Sequence, residues 1–565
     1  MGAFLFLATA TIVVWQNSRL AVLWDLSYIL ENANRMSWGD VPYRDFPFPY
    51  PPLTFLIQAA VIKLGGRVFW HTIVYSAIVG GAATVVTWRI VLHLLRERVA
   101  HARAIAFILT IPLIVLGIYC VFPHPFYDPD CAFAILLAIF LLQRADRKES
   151  SIAASVLAGI TLILPLFVKQ NIGLAFLLTT IGGVTLVAIV EKIRGEAIRR
   201  YVLIVSSAAA ALGIALLLIH VTAGLKNYWH WTIQFAAERR TPARAEMIEI
   251  YKSKAVLWST LLFAIGCALS WFARKRSLGW LSVVAGVVLA SPFTWPAIYL
   301  LLDRDSSERA DRLLNVWPLV LIVSLVLTII TMRRRPGLDL VLPFVLIATI
   351  NGTFMSQQLW GSTYAIWPLL MILLAYPAHA LYQFAGSRPA VFFAAIVSAG
   401  LLIAGSAYVY SHERLDYANL DEGALTKSNL PALKGMRTRG DWLPNFEELV
   451  RYTDANIPRL APVLIIPGED LFYYTTGRRP QFPVLLFDHT VNPYAPAEIV
   501  KLARDRNINW LIVKQDLQDE DENLEQQRDA LTEALEQEFE QVESLQGYDI
   551  YKRSQPDDDK SPVEK

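Results

Sequence analysis

Apolar runs near 20 residues, about the length that crosses ~30 Å of hydrocarbon as a helix, recur from the N-terminus to about Tyr410. They fall near 2–16, 68–95, 104–122, 131–143, 151–168, 172–190, 201–221, 255–272, 278–302, 313–331, 339–350, 364–384 and 390–410. This pattern predicts about thirteen membrane spans. The runs at 131–143 and 339–350 are short, so each is tilted, re-entrant or extended into its flanks. After the first run the pattern changes. Val22, Leu26, Ile29, Ala33 and Met36 recur at helical spacing, while Asp25, Tyr28, Asn32 and Arg35 recur on roughly the opposite side. The expectation is an amphipathic helix lying on the membrane surface with its polar stripe outward. Gly39 and Asp40 end it, and Pro42, Pro47, Pro49, Pro51 and Pro52 keep the following chain extended. Beyond Tyr410 the pattern becomes that of a soluble α/β unit. Strands are expected at 462–468, 508–514 and 547–553, and helices at 445–456 and 496–506. The chain thus divides into a membrane domain (1–410) with interfacial helices in its first loop (17–66), an α/β domain (411–554) and a disordered tail (555–565).

Composition agrees with a polytopic α-helical membrane protein: 55% of the 565 residues are hydrophobic, with mean hydropathy +0.41. The net charge of +2 gives no bulk attraction to nucleic acid. The first run lacks basic residues and a small-residue cleavage site, so it reads as a span and not a signal peptide. Basic clusters follow every second run: Arg96, Arg98 and Arg103; Arg144, Arg147 and Lys148; Lys192, Arg194, Arg199 and Arg200; Arg274 to Arg276; Arg333 to Arg335. The positive-inside rule then places the N-terminus in the cytoplasm and the C-terminal domain outside, and a short cytosolic content with a Cys-free outer domain fits a plasma (inner) membrane. The 222–254 loop breaks the bias, with Lys226, Arg239, Arg240, Arg244, Lys252 and Lys254 on the outer side. Of the three cysteines, Cys120 and Cys131 flank one short loop, either as a pair or as buried thiols.

The candidate chemistry gathers on that outer side. Asp25 sits on the amphipathic helix, either as a catalytic carboxylate or as a solvated charge. Asp128 and Asp130 lie in a short loop, where they bind a divalent cation, assist acid–base chemistry or cap the next helix. Lys169, between two apolar runs, faces a partner or cavity or snorkels to the interface. Tyr228 to Trp231 with Arg239 and Arg240 suit sugar stacking and phosphate pairing, or interfacial anchoring. The segment 357–364, ending in Tyr364, is rich in hydrogen-bonding groups.

The chain resembles the GT-C superfamily of polyprenyl-phosphate-sugar-dependent glycosyltransferases, on the branch of the protein O-mannosyltransferases and lipid A aminoarabinose transferases. Asp25 matches the first-loop aspartate and GDVPYRDF (39–46) its continuation. Asp128-Pro129 matches the second-loop aspartate, Lys169 the lysine ending a span, and Tyr364 with Pro368 a late Y-x-x-x-P. There are departures. Leu26 stands where the family often has a second carboxylate, and Tyr50-Pro51-Pro52 where the aminoarabinose transferases carry Glu-Lys-Pro. The C-terminal domain has no Trp-Trp-Asp of oligosaccharyltransferase type. The resemblance implies transfer of a sugar from a polyprenyl-phosphate donor to a hydroxyl on a protein, lipid or glycan. In it Asp25 is the general base, Asp128 orients the acceptor or supports Asp25, and Lys169, with Arg239 or Arg240, is the phosphate-holding cation. Tyr28, Arg35 and Tyr364 line the substrate site. No cofactor is required, although a divalent cation at Asp128 and Asp130 stays open. A transporter of a lipid-linked saccharide and a non-catalytic assembly subunit are the competing classes.

Overall fold

A computed structural model describes residues 1–19, 21–96, 98–147, 150–240, 249–302, 317–332, 337–355, 365–411, 423–518 and 522–554. It is mostly helical. Among the described residues, five helices are long and apolar enough to cross a membrane: Trp70–Leu95, Gln170–Ile193, Arg199–Thr222, Lys254–Lys275 and Ser387–Tyr410. Shorter apolar helices lie between them. They leave large apolar side chains such as Ile78, Leu217, Trp258, Trp271 and Ile330 exposed around the bundle, an apolar surface that a bilayer would cover.

The elements that position the site come from the first half of the chain. They are α1 (Gly2–Asn17), α2 (Leu23–Ser37), α3 (Leu53–Gly65), α4 (Trp70–Leu95), α5 (Ala102–Thr110) and α6 (Leu113–Leu116). There follow α7 (Tyr127–Ala145), α8 (Ile152–Leu162), α9 (Gln170–Ile193) and α10 (Arg199–Thr222). α1 packs on α4, α8 on α10, and α9 on the helix Leu338–Asn351. The expected run at 104–122 is interrupted: α5 stops before Pro112, which has no N–H to continue the ladder, and the chain leaves α6 at Gly117. The short run at 131–143 reaches into both flanks as the 19-residue α7. In the 222–254 loop the chain is helical again from Leu225 to Arg240, through one π-helical turn.

The C-terminal segment carries a four-stranded sheet. Its strands are β3 (Val463–Ile466), β4 (Trp510–Lys514), β5 (Phe539–Leu545) and β6 (Tyr548–Arg553); β1 (Leu425–Lys427) and β2 (Arg437–Arg439) form a separate ribbon. The sheet order is β3-β4-β6-β5, with β3 parallel to β4 and the remaining pairs antiparallel. Alternation along the strands sends side chains to two cores. Val463, Ile465, Ile512 and Ile550 join one continuous core that also holds Leu26 and Ile29 of α2, while Leu464, Ile466, Leu511 and Val513 form a second core with Ile499 and Leu535. The C-terminal segment is therefore packed onto α2 through shared apolar burial.

This packing corrects one expectation. α2 does not present its whole polar stripe to solvent: Asn32 and Arg35 are buried and Asp25 and Tyr28 half-buried, and eleven of its fifteen residues are buried in all. The physical reason lies some 440 residues away in sequence, where the C-terminal segment exchanges hydrogen bonds with Ser27, Glu31 and Arg35.

Candidate active site

α7 begins with Tyr127-Asp128-Pro129-Asp130. Phe126 is the extended residue before the helix and makes no side-chain cap; Pro129 fits the first turn because its missing N–H has no partner there anyway. Asp128 and Asp130 both lie in that turn, not at the cap, and both are buried. They face different partners. Asp128 is ion-paired with the Lys169 ammonium, which also lies 5.0 Å from the centre of the Tyr127 ring. Asp130 accepts three hydroxyl hydrogen bonds, from Tyr119 at 2.6 Å, Tyr75 at 2.7 Å and Thr54 at 2.8 Å. It thereby ties α3, α4 and the 117–126 loop to α7.

Lys169 is seated by local backbone geometry. The turn Leu164–Phe167 delivers the chain to α9, Lys169 is its extended N-cap residue, and the Lys169 N–H donates to the Pro165 carbonyl at 2.9 Å. α9 crosses this turn closely at Gly173, where a Cβ would come within 2.3 Å of the Pro165 carbonyl carbon; only glycine permits that approach. A buried ammonium needs both a counter-charge and hydrogen-bond acceptors, and Asp128 supplies them. Beside the pair is a narrow cleft, with room for about one water, lined by Asp128, Ala132, Ile172, Thr349, Thr353 and Ile366.

α2 is held against this region at its N-terminus. The Val22 N–H points at His124 Nε2, 3.4 Å away, and the Leu23 N–H donates to Gln518 Oε1 at 2.6 Å. Gln518 Nε2 returns a bond to the Ala21 carbonyl at 3.0 Å. His124 is fully buried, which pushes its pKa down to about 3 and keeps the ring neutral. Asp25 lies in the first turn of α2, half-buried. One turn further, Tyr28 lies among Tyr50, Phe55 and Phe48, with ring centres 5.4, 5.8 and 6.2 Å away. Tyr50 in turn stacks on Tyr127 at 4.5 Å, their hydroxyls 3.2 Å apart. A continuous aromatic contact thus runs from the helix of Asp25 to the ring under Lys169.

The adjoining face of α2, which shares Arg35 with the polar stripe, docks on the C-terminal segment at positions spaced by four. Ser27 Oγ donates to the Gly468 carbonyl at 3.2 Å. The Glu31 carboxyl group accepts from the Tyr474 N–H at 2.9 and 3.0 Å. Arg35 donates to the Pro483 carbonyl at 2.8 Å and to Asp40 at 2.9 Å, with its guanidinium 4.2 Å from the Phe46 ring centre. Burial pushes the pKa of Glu31 up to about 8, against the lowering effect of the Tyr474 hydrogen bond and of Arg67.

The remaining sequence candidates are distributed as follows. Arg35 is engaged in this docking contact. Arg239 donates to the His489 and Asn492 carbonyls at 2.6 and 3.0 Å and lies over Phe235, so it joins the 222–254 region to the C-terminal segment. Arg240 ends the helix Ala236–Arg240. Tyr364 lies outside the described residues. Asp128 is paired with Lys169 and Asp130 accepts from three hydroxyls; among the described residues no group of three or more His, Cys, Asp or Glu could hold a metal. Cys120 and Cys131 are buried free thiols. Sequence reasoning missed Glu31, Thr54, Tyr75, Tyr119 and Gln518. Polar side chains inside apolar runs were the available signal for Thr54 and Tyr75, whereas nothing local marks Gln518.

No protein-family model matches the chain, and no curated protein matches it. Among solved structures, the chain is similar to the Archaeoglobus fulgidus oligosaccharyltransferase in complex with zinc and sulfate, at 12% identity and TM-score 0.48 over 90% of this chain and 68% of that one. ArnT from Cupriavidus metallidurans bound to undecaprenyl phosphate is similar at 13% identity and TM-score 0.46, over 97% of each chain. The Archaeoglobus enzyme tethered to an acceptor peptide with the NVT sequon gives 12% identity and TM-score 0.48, over 98% and 74%. At these identities the chemistry has to be argued from this chain's own residues.

Proposed function

We propose that the chain is an integral membrane glycosyltransferase that moves a sugar from a polyprenyl phosphate to an acceptor hydroxyl. The observation that carries the reading is the buried Asp128–Lys169 pair beside a narrow cleft, joined by the Tyr127–Tyr50–Tyr28 ring contacts to the helix bearing Asp25. In the reaction, the acceptor oxygen attacks the anomeric carbon and Asp25 takes its proton. The bond from the anomeric carbon to the phosphate oxygen breaks with inversion, leaving a lipid phosphate. Lys169 balances the charge that develops on that phosphate, and preorganised charge of this kind is usually the largest single catalytic contribution. Asp128 holds the ammonium in place until the phosphate arrives. Asp130, through its three hydroxyl partners, fixes the first turn of α7 from which Asp128 projects.

In this reading the thirteen apolar runs cross the membrane, the N-terminus is cytoplasmic, and α2 with the C-terminal segment lies on the outer face. The protein acts in the plasma (inner) membrane. Sugar and acceptor are read out by incubating the purified protein with a panel of polyprenyl-phosphate sugars and candidate acceptors. Release of free polyprenyl phosphate from one donor, dependent on an acceptor, supports the assignment. Consumption of none, together with movement of a lipid-linked saccharide across a liposome bilayer, would replace it with a transporter.

A further inference from the structure

We propose that Glu469, Asp470 and Lys514 of the C-terminal segment are positioning residues for Asp25, acting on its helix through Gln518. The catalytic consequence rests on the glycosyltransferase reading; the mechanical coupling rests on hydrogen bonds alone. β3 and β4 are neighbouring parallel strands, so the chain leaves both at the same edge of the sheet. The loop after β3 brings Gly468, Glu469 and Asp470, while Lys514 ends β4 and Gln518 follows four residues on. Both loops reach α2. The Gly468 carbonyl accepts from Ser27 Oγ at 3.2 Å. The Gln518 side chain spans the start of the helix, accepting from the Leu23 N–H at 2.6 Å and donating to the Ala21 carbonyl at 3.0 Å. Asp25 lies two residues past Leu23, in the turn so held.

Gln518 can hold that turn only if it is held itself. Its backbone N–H donates to Glu469 Oε1 at 3.1 Å, and the same oxygen is ion-paired with the Lys514 ammonium. Lys514 also donates to Asp470 Oδ1 at 3.1 Å. Asp470 in turn accepts from the Trp442 indole N–H at 2.6 Å and from the Tyr548 hydroxyl at 3.1 Å. A series of directed bonds thus runs from β6 and the helix Trp442–Asn456, through three buried ionisable side chains, to two backbone groups beside Asp25.

Core filling does not account for the three. Glu469, Asp470 and Lys514 are 0%, 1% and 2% exposed, and well-packed apolar side chains of similar volume are often at least as stable as buried ion pairs. Glu469 Oε2 has no hydrogen-bond partner among the described residues, a further cost. What the group supplies, and apolar side chains cannot, is direction: Glu469 Oε1 orients Gln518, and Gln518 orients the first turn of α2. A misplaced base loses rate steeply, whereas donor affinity does not depend on where that base points. The effect is therefore expected in kcat.

The test pairs Glu469→Leu with Glu469→Gln in the full-length protein in detergent. Leucine leaves Lys514 its Asp470 partner but gives the Gln518 N–H no acceptor, whereas glutamine keeps an oxygen there. Hydrogen exchange across residues 21–27, read by mass spectrometry, is expected to be about tenfold faster in Glu469→Leu and near wild type in Glu469→Gln. With a polyprenyl-phosphate sugar that the wild-type protein consumes, Glu469→Leu should lower kcat about threefold with KM for the donor little changed. Glu469→Gln should keep at least half of kcat. In a Gln518→Ala background Glu469→Leu should cost nothing more, because it acts through that side chain. If Glu469→Leu cannot be purified, Glu469→Met, whose flexible side chain adapts to the site, is read out in the same way. Unchanged exchange at 21–27, equal kcat in the apolar and glutamine variants, or additive losses in the Gln518→Ala background would each overturn the inference. A wild-type protein that transfers no sugar would overturn the glycosyltransferase reading instead, and the exchange rates would still decide the coupling.

Discussion

Glu31 offers a prediction whose size follows from its surroundings. Its carboxyl group is buried where α2 meets the C-terminal segment, and its pKa rises from the ordinary 4.5 to about 8. The group is therefore protonated in the docked state at neutral pH and ionised when the segment comes away. Below about pH 4.5 both states are protonated and the contact has its full strength. As pH rises towards 8 the undocked state alone loses its proton, so docking weakens, and above about 8 it weakens no further. Multiplying the shift by about 1.4 kcal/mol per pKa unit gives a loss on the order of 5 kcal/mol across that window, as an upper figure. Glu31→Gln keeps a carbonyl oxygen for the Tyr474 N–H and removes the proton. The assay is thermal unfolding and limited proteolysis between the segments of the detergent-solubilised protein, from pH 5 to 9. Wild type is expected to lose protection steadily towards pH 8, while the Gln variant stays flat and is the more resistant at pH 8. Parallel pH profiles for the two proteins would refute the reasoning.

Three other outcomes are expected. Lys169→Met leaves the Asp128 carboxylate buried without its cation and should destabilise the protein by about 3–5 kcal/mol; the Asp128→Asn, Lys169→Met double variant should recover part of that loss in a melting-temperature cycle. Gln518→Ala removes the bonds to the Leu23 N–H and the Ala21 carbonyl, an interaction comparable to a helix N-cap at about 1 kcal/mol. It should lower kcat about fivefold with little change in KM for the donor, since it loosens the turn that carries Asp25. Tyr119→Phe removes the shortest of the three bonds to Asp130 and should lower stability by about 1–3 kcal/mol, seen as a reduced melting temperature.

The sequence made some of this arrangement legible and hid the rest for definable reasons. The apolar runs reported the helices because membrane-length hydrophobicity is a local property. Pro112 and Pro165 then shortened two of them into broken segments, α5–α6 and α8 with its 3-10 turn, a detail a window average blurs. β3, β4 and β6 lie at the apolar stretches at 462–468, 508–514 and 547–553. β5 was invisible because five of its seven residues are exposed, so it has no apolar alternation. For α2, the division into apolar and polar faces was read as lipid against water. Ser27, Glu31 and Arg35 instead meet Gly468, Tyr474 and Pro483, and no local pattern can announce a partner so distant in sequence. Asp128 and Lys169 were both singled out by the cost of burying charge, but their pairing depends on α7 and α9 packing side by side.

The central claim concerns Asp25, and the most direct measurement is the turnover of Asp25→Asn with a donor that the wild-type protein uses. Asn keeps the shape and cannot take a proton, so transfer should fall by about 10²–10⁴, with donor binding and melting temperature unchanged. Near wild-type turnover in that variant would contradict the account.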